Sequence, residues 1–225
     1  MKHSSWRGWV TDYRYTFLLV ALLVLVLAPL VFDASDQRSL TFRVSSLGVM
    51  VFGILTVLQH RRTRIFAVAL ALLASVAQSA SLVYGPQFYA QLRLALFAAF
   101  FSFMGVIIIR DVLRAEVITW DRIQGAVCAY LLIGVAWGVL YAWVGLHDPQ
   151  AFSGAVEVGA QSGEPMVYFS FVTLTTLGYG DITPVSQTAR TLAWLEAAFG
   201  QIYLVVLVAH LVSRQSIRSS RGEKP

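Results

Sequence analysis

Charge is what this sequence has least of. Only 13% of its residues are Asp, Glu, Lys or Arg, against 57% hydrophobic; a soluble domain usually carries about 25% charged and about 45–50% apolar residues. Cysteine is nearly absent. Cys128 is the single thiol, so no intrachain disulfide forms and a thiolate metal site is excluded in practice. The four histidines, His3, His60, His147 and His210, never fall at metal-ligand spacing, and no catalytic motif accompanies them. Each reads as an interfacial residue, and no enzyme or cofactor is implied. A small-x-small cleavage site after the first apolar block is also missing. Phe32-Asp33-Ala34 is a poor one, so that block reads as a retained span and not as a signal peptide.

Hydrophobic residues are present in blocks, at about 16–32, 40–59, 65–84, 88–110, 123–146 and 190–212. Each is near the length that crosses ~30 Å of hydrocarbon, and none has the polar face of a soluble helix. The aromatic stretch Trp6, Trp9, Tyr13 and Tyr15 before the first block suits the headgroup level. The expected fold is therefore an all-α membrane protein with six transmembrane helices. The net charge of +5 is better explained by topology than by nucleic acid. Most of the 17 basic residues fall at the N-terminus, between spans two and three, between four and five, and after six. The positive-inside rule places those loops, and both termini, in the cytoplasm, as expected of a cell membrane protein, here a bacterial inner-membrane one.

Two segments depart from the span pattern. Residues 111–121 mix Val112, Leu113, Val117 and Ile118 with Arg114, Glu116 and Asp121, which predicts an amphipathic helix in the cytoplasmic interface. Between spans five and six, 147–165 is polar and turn-rich, while 166–176 is apolar but only about 11 residues long, too short to cross and suited to a re-entrant helix. Pro165 sits where a helix start tolerates it.

Directly after that short helix stands Thr176-Leu177-Gly178-Tyr179-Gly180-Asp181. A dehydrated potassium ion needs rings of oxygen around it, and stacked backbone carbonyls supply them. Holding successive carbonyls in one direction requires backbone conformations that L-residues resist, so glycine is needed at alternate positions; Gly178 and Gly180 meet that need. Thr176 adds a hydroxyl oxygen, Tyr179 points away from the ion path, and Asp181 places a carboxylate at the outer mouth. Irregular backbone at this depth is tolerated only inside protein or beside a water-filled path.

These residues closely resemble the Thr-x-Gly-Tyr-Gly-Asp signature of potassium channels. The chance match is on the order of once in 10⁴ chains at average residue usage, and its place between two spans makes coincidence rarer still. The resemblance runs along 122–214. It implies a selectivity filter of Thr176, Leu177, Gly178, Tyr179 and Gly180, with potassium held at the first four, and a homotetramer, because one motif per chain supplies only a quarter of each ring. It also implies a glycine hinge at Gly200 in the inner helix and a pore lining of Gln201, Leu204, Val208 and Val212, whose spacing is independently that of one helix face. Arg190 matches a basic residue at the outer start of that helix. Many members carry a Trp pair in the pore helix; Tyr168 and Phe169 stand there instead. Tyr168 is expected to hydrogen-bond Asp181, and Thr173 to replace the donor that Phe169 cannot supply to Tyr179. Glu196, an acid in an apolar helix, is expensive there and is expected to brace the filter from behind.

Three domains are expected: 1–121, four transmembrane helices with the interfacial linker; 122–214, the pore; and 215–225, a short cytoplasmic tail. Spans one to four have the helix count of a voltage sensor but not its chemistry. A sensor needs about 3–4 gating charges per subunit. Span four offers Arg93 alone, with Leu96, Ala99 and Ser102 at the following third positions. The resemblance therefore implies a potassium-selective channel that is weakly voltage-gated or not voltage-gated, with membrane lipid and its own copies as partners, and without nucleic acid or a small-molecule substrate. The alternative, a subunit of a potassium-uptake transporter or an accessory pore subunit, fits less well. Such transporters resemble four fused pore units in one chain, and only one unit is present.

Overall fold

The computed structural model describes residues 13–31, 35–56, 61–83, 86–114, 119–154 and 164–220. Each hydrophobic block forms a helix there. In chain order these are α1 (Arg14–Val31), α2 (Ser35–Thr56), α3 (Arg61–Val83), α4 (Pro86–Arg114), α5 (Trp120–His147), a short α6 (Glu164–Leu174) and α7 (Gln187–Ser220). Two three-residue strands, β1 (Phe152–Gly154) and β2 (Ile182–Pro184), flank α6 in the chain.

Among the described residues four helical stretches are long and apolar enough to cross a membrane: Arg61–Ala80, Tyr89–Arg114, Trp120–His147 and Gln187–His210. In α1 and α2 the apolar stretches are shorter, Arg14–Leu27 and Val44–Thr56. The interfacial helix expected over 111–121 is not a separate element at its described ends. Residues 111–114 complete the last turns of α4, Trp120 and Asp121 open α5, and 115–118 lie outside the described residues. The reason is local: Val112 is buried, continuing the apolar face of α4, while Thr119 caps α5 by accepting from the Arg122 amide, as expected of a hydroxyl at a helix start.

The core of the bundle is built from α1, α4 and α5. Tyr15, Leu18, Leu22 and Leu25 of α1 are buried with Phe97, Phe100, Phe101, Met104 and Ile108 of α4 and with Ala126, Ala129, Leu132 and Val135 of α5. Phe97 stacks on Phe101 at 5.9 Å, and Phe100 meets Phe101 edge-on at 5.7 Å, geometries that aromatic quadrupoles favour. Small residues on α5 admit the Tyr15 ring, whose carbons would stand 3.0 Å from a Cβ at Gly125.

A charged knot closes one end of this bundle. Asp111 of α4 accepts from the Arg14 guanidinium at 2.7 Å, from the Tyr15 hydroxyl at 2.5 Å, and from Arg122 of α5. Asp121 accepts from the Tyr15 amide and lies 3.7 Å from Arg14. The Thr16 hydroxyl donates to Gln124 at 2.7 Å. The start of α1, the end of α4 and the start of α5 are thus tied at one level by paired charges, as buried charges require, while Arg14 Nε finds no hydrogen-bond partner among the described residues.

Candidate functional site: the segment between α5 and α7

Helix α6 lies against α5, and glycine makes the approach possible. A Cβ at Gly138 would stand 2.5 Å from the Val167 Cα, and one at Gly134 would stand 2.6 Å from the Phe171 ring. Two glycines one turn apart let helix backbones close up, the usual device in membranes. On the other side α7 presents Gly200, where a Cβ would meet the Leu174 carbonyl oxygen at 2.6 Å. Helix α6 is therefore held between the two long helices by backbone-level contacts.

The chain leaves α6 through a network that uses the helix's own unpaired carbonyls. The Val172 carbonyl accepts from the Leu177 amide at 2.9 Å and the Gly178 amide at 3.2 Å, and the Thr173 carbonyl accepts from Thr176 at 2.9 Å. Beyond that point φ alternates. Thr176, Gly178 and Gly180 have φ of 58°, 61° and 79°, and Leu177 and Tyr179 do not share the positive sign. Alternation is the backbone pattern that turns successive carbonyls the same way. For Gly178 and Gly180 it is free of Cβ strain; at Thr176 it costs about 1–2 kcal/mol. All residues from Thr175 to Asp181 are exposed on the single chain.

Asp181 is fixed twice. Its carboxylate accepts from the Tyr168 hydroxyl at 2.7 Å and from the Ile182 amide at 3.0 Å. The Tyr168 hydroxyl, opposed by desolvation, holds the Asp181 carboxyl below the usual carboxylate range. The backbone is held by the β1–β2 pair, in which Gly154 faces Ile182 and Ser153 faces Thr183. At Gly154, with φ of 132°, a Cβ would stand 2.0 Å from the Asp181 carbonyl oxygen, so only glycine fits. The Val185 amide donates to Ala151 at 2.7 Å, completing the clasp.

Phe169 is buried against Tyr141 at 4.9 Å and Phe152 at 5.4 Å. Within the chain it packs β1 onto α5. Glu196 is fully buried and accepts from the Tyr141 hydroxyl at 2.6 Å; Ser170 stands 2.5 Å from its other oxygen. Helix α7 runs without interruption through Gly200. Gln201, Leu204, Val208 and Val212 are all exposed on it, as are Trp194, Phe199, Ile202 and Val205. Arg190 opens this helix and donates to the Pro184 carbonyl at 3.3 Å. Among the described residues no His, Cys, Asp and Glu group has the composition of a metal site.

Sequence reasoning missed Tyr141, Ser170, Gly134, Gly138 and Gly154. The Gly134/Gly138 spacing of one helical turn was a readable signal. The other three act through partners distant in the chain, and nothing local marks them.

Residues 127–215 match the family model described as an ion channel. No curated protein and no solved structure matches the chain. The matched stretch begins within α5 and ends within α7, so it contains α6, the φ-alternating segment and Asp181. It supports the resemblance to the pore family of potassium channels. Two of the four helices long and apolar enough to cross a membrane fall largely within this stretch and two precede it, the make-up of a multi-pass membrane protein with an ion-channel domain.

Proposed function

We propose that this protein is a potassium-selective channel in which four copies surround one axis, each contributing Thr176–Gly180 to the filter and Asp181 to the outer mouth. The observation that carries the reading is positive φ at Thr176, Gly178 and Gly180, in a segment that follows a short helix wedged between two long ones. Carbonyl rings are a recognised way to replace the hydration shell of potassium, and one chain supplies one wall of each ring. The exposed apolar face of α7 gives the four copies a surface to share, with Gln201, Leu204, Val208 and Val212 lining the path below the filter.

In this reading α1 and α2 cross the membrane with the other four long helices, α6 is re-entrant, and both termini are cytoplasmic. Helices α1–α4 surround the pore without driving it by voltage, since Arg93 is their lone candidate gating charge in span four. Rubidium or potassium uptake into proteoliposomes, measured beside sodium uptake, tests the function. Potassium and rubidium entry with little sodium entry is expected. Equal sodium entry would refute selectivity, and absence of any ion entry would refute conduction. Mass measurement in nanodiscs is expected to give four chains per particle.

A further inference from the structure

The hydrogen atoms around Glu196 have to be counted. Glu196 of α7, Ser170 of α6 and Tyr141 of α5 are each fully buried. The Ser170 oxygen lies 2.6 Å from the Gly134 carbonyl oxygen and 2.5 Å from Glu196 Oε1; the Tyr141 hydroxyl lies 2.6 Å from Glu196 Oε2. A serine hydroxyl carries one hydrogen, and a backbone carbonyl carries none. The Ser170 hydrogen therefore belongs to the Gly134 contact, and the hydrogen between Ser170 and Glu196 must come from Glu196. Tyr141 donates to the remaining carboxyl oxygen. With that assignment every polar atom of the cluster is satisfied, which a buried network requires.

The opposite assignment fails on two counts. A carboxylate would leave the Gly134 contact or the Glu196 contact without a hydrogen between two oxygens. It would also be a buried charge with no ion-pair partner among the described residues; such a charge is costly in a low-dielectric interior. Among the described residues, the ionisable groups beside it are Tyr141 and Tyr130, both on α5. Each is neutral when protonated, and neither offers a compensating positive charge.

We propose that Glu196 is a neutral carboxylic acid that donates its proton to Ser170, forming the chain Tyr141 to Glu196 to Ser170 to Gly134, and that this chain is a latch fixing the pore helix to both flanking spans. Glu196 is a positioning residue. It does not touch the filter, and it acts through α6, whose C-terminal carbonyls hold the Leu177 and Gly178 amides. The latch role rests on the channel reading above; the proton does not.

Infrared difference spectroscopy of the purified full chain in nanodiscs tests the proton without any flux. At neutral pH a carboxylic-acid C=O band is expected that moves down in D2O and is absent in Glu196→Gln. In Ser170→Ala the acid loses its acceptor, and the band is expected to move to higher frequency. No acid band that Glu196→Gln removes would overturn the proposal, and so would a band unmoved in Ser170→Ala.

Single-channel recording tests the latch. A Gln side chain can donate to Ser170 and accept from Tyr141, so Glu196→Gln is expected to keep the open durations of the parent. Glu196→Met fills similar space without hydrogen bonds, and its open durations should shorten about tenfold, a size consistent with losing buried hydrogen bonds. Should Glu196→Met not assemble, Ser170→Ala supplies the same comparison. Equal open durations in Glu196→Gln and in the unlatched variant would overturn the latch. If the parent conducts no ion at all, the channel reading fails while the infrared result still decides the proton.

Discussion

The Leu174 carbonyl oxygen would stand 2.6 Å from a Cβ added at Gly200. Helix α7 and the end of α6 touch at backbone level, and that contact sits one helical turn from Glu196. The glycine that resembles a family hinge thus has a packing reason of its own in an unbroken helix. Gly200→Ala is expected to push α6 away from α7 and to destabilise the assembly by about 1–3 kcal/mol, the usual size of overpacking. A lowered melting temperature of the detergent-solubilised oligomer, with reduced potassium flux, is the expected result. Unchanged values for both would show that the contact relaxes freely.

Gly178 has φ of 61° with open space around its Cα, so within a chain an added methyl meets only backbone resistance, about 1–2 kcal/mol per residue. Repeated in four proposed subunits at one ring, this is enough to collapse carbonyl alignment. Gly178→Ala is expected to abolish potassium uptake while leaving the oligomer intact by size-exclusion chromatography. Normal uptake would refute the assignment of this segment to the ion path.

Tyr168 holds the Asp181 carboxyl below its ordinary range. The sign follows: a depressed group keeps its charge as pH falls, and loses it only on passing through the depressed value. Tyr168→Phe removes the hydroxyl, so Asp181 is expected to take up its proton at higher pH. The external pH at which potassium current falls by half should move upward in the variant. A downward move would contradict the hydrogen bond as the cause.

The knot around Asp111 joins α1, α4 and α5. Asp111→Asn keeps the shape and removes the charge that Arg14 and Arg122 share. Arg14 is buried while Asp111 is partly exposed, so solvent screening reduces the loss; a loss on the order of 1–3 kcal/mol is expected for hydrogen bonds to charged groups. The loss should appear as earlier thermal unfolding and increased protease cleavage between α4 and α5. Ion selectivity should not change, because the proposed filter, Thr176–Gly180, lies in the segment after α6.

Voltage dependence is expected to be shallow. Each elementary charge moved across the full field contributes about 2.3 kcal/mol per 100 mV. Arg93 is buried near the start of α4, and no arginine follows it at the spacing a sensor needs. Open probability recorded over voltage steps should change gradually. A steep sigmoid that survives Arg93→Gln would overturn this reading.

The helices, their order and the shortness of α6 were legible in the sequence, because a membrane span must satisfy its backbone internally and be apolar along its length. Their ends move by a few residues, except that α7 runs on to Ser220, past the expected end near 212. The alternating backbone of 176–180 was legible for a related reason: positive φ at alternate positions is a local demand that glycine meets, and Gly178 and Gly180 declare it. Arg14, Asp111, Asp121 and Arg122 were visible as charges but not as one cluster. The ends of the interfacial segment expected over 111–121 belong instead to α4 and α5, because Val112 continues the buried face of α4; 115–118 lie outside the described residues.

Sequence by itself determined the long apolar helices and the glycine-alternating backbone between α6 and β2, since apolar length and backbone conformation are properties of neighbouring residues. Only the tertiary structure decided what Glu196 does. Its partners Tyr141 and Ser170 lie 55 and 26 residues away, and the hydrogen it donates is assigned by a carbonyl, Gly134, that belongs to a third helix. Hydrogen-bond accounting depends on which groups meet in space, and packing brings those groups together.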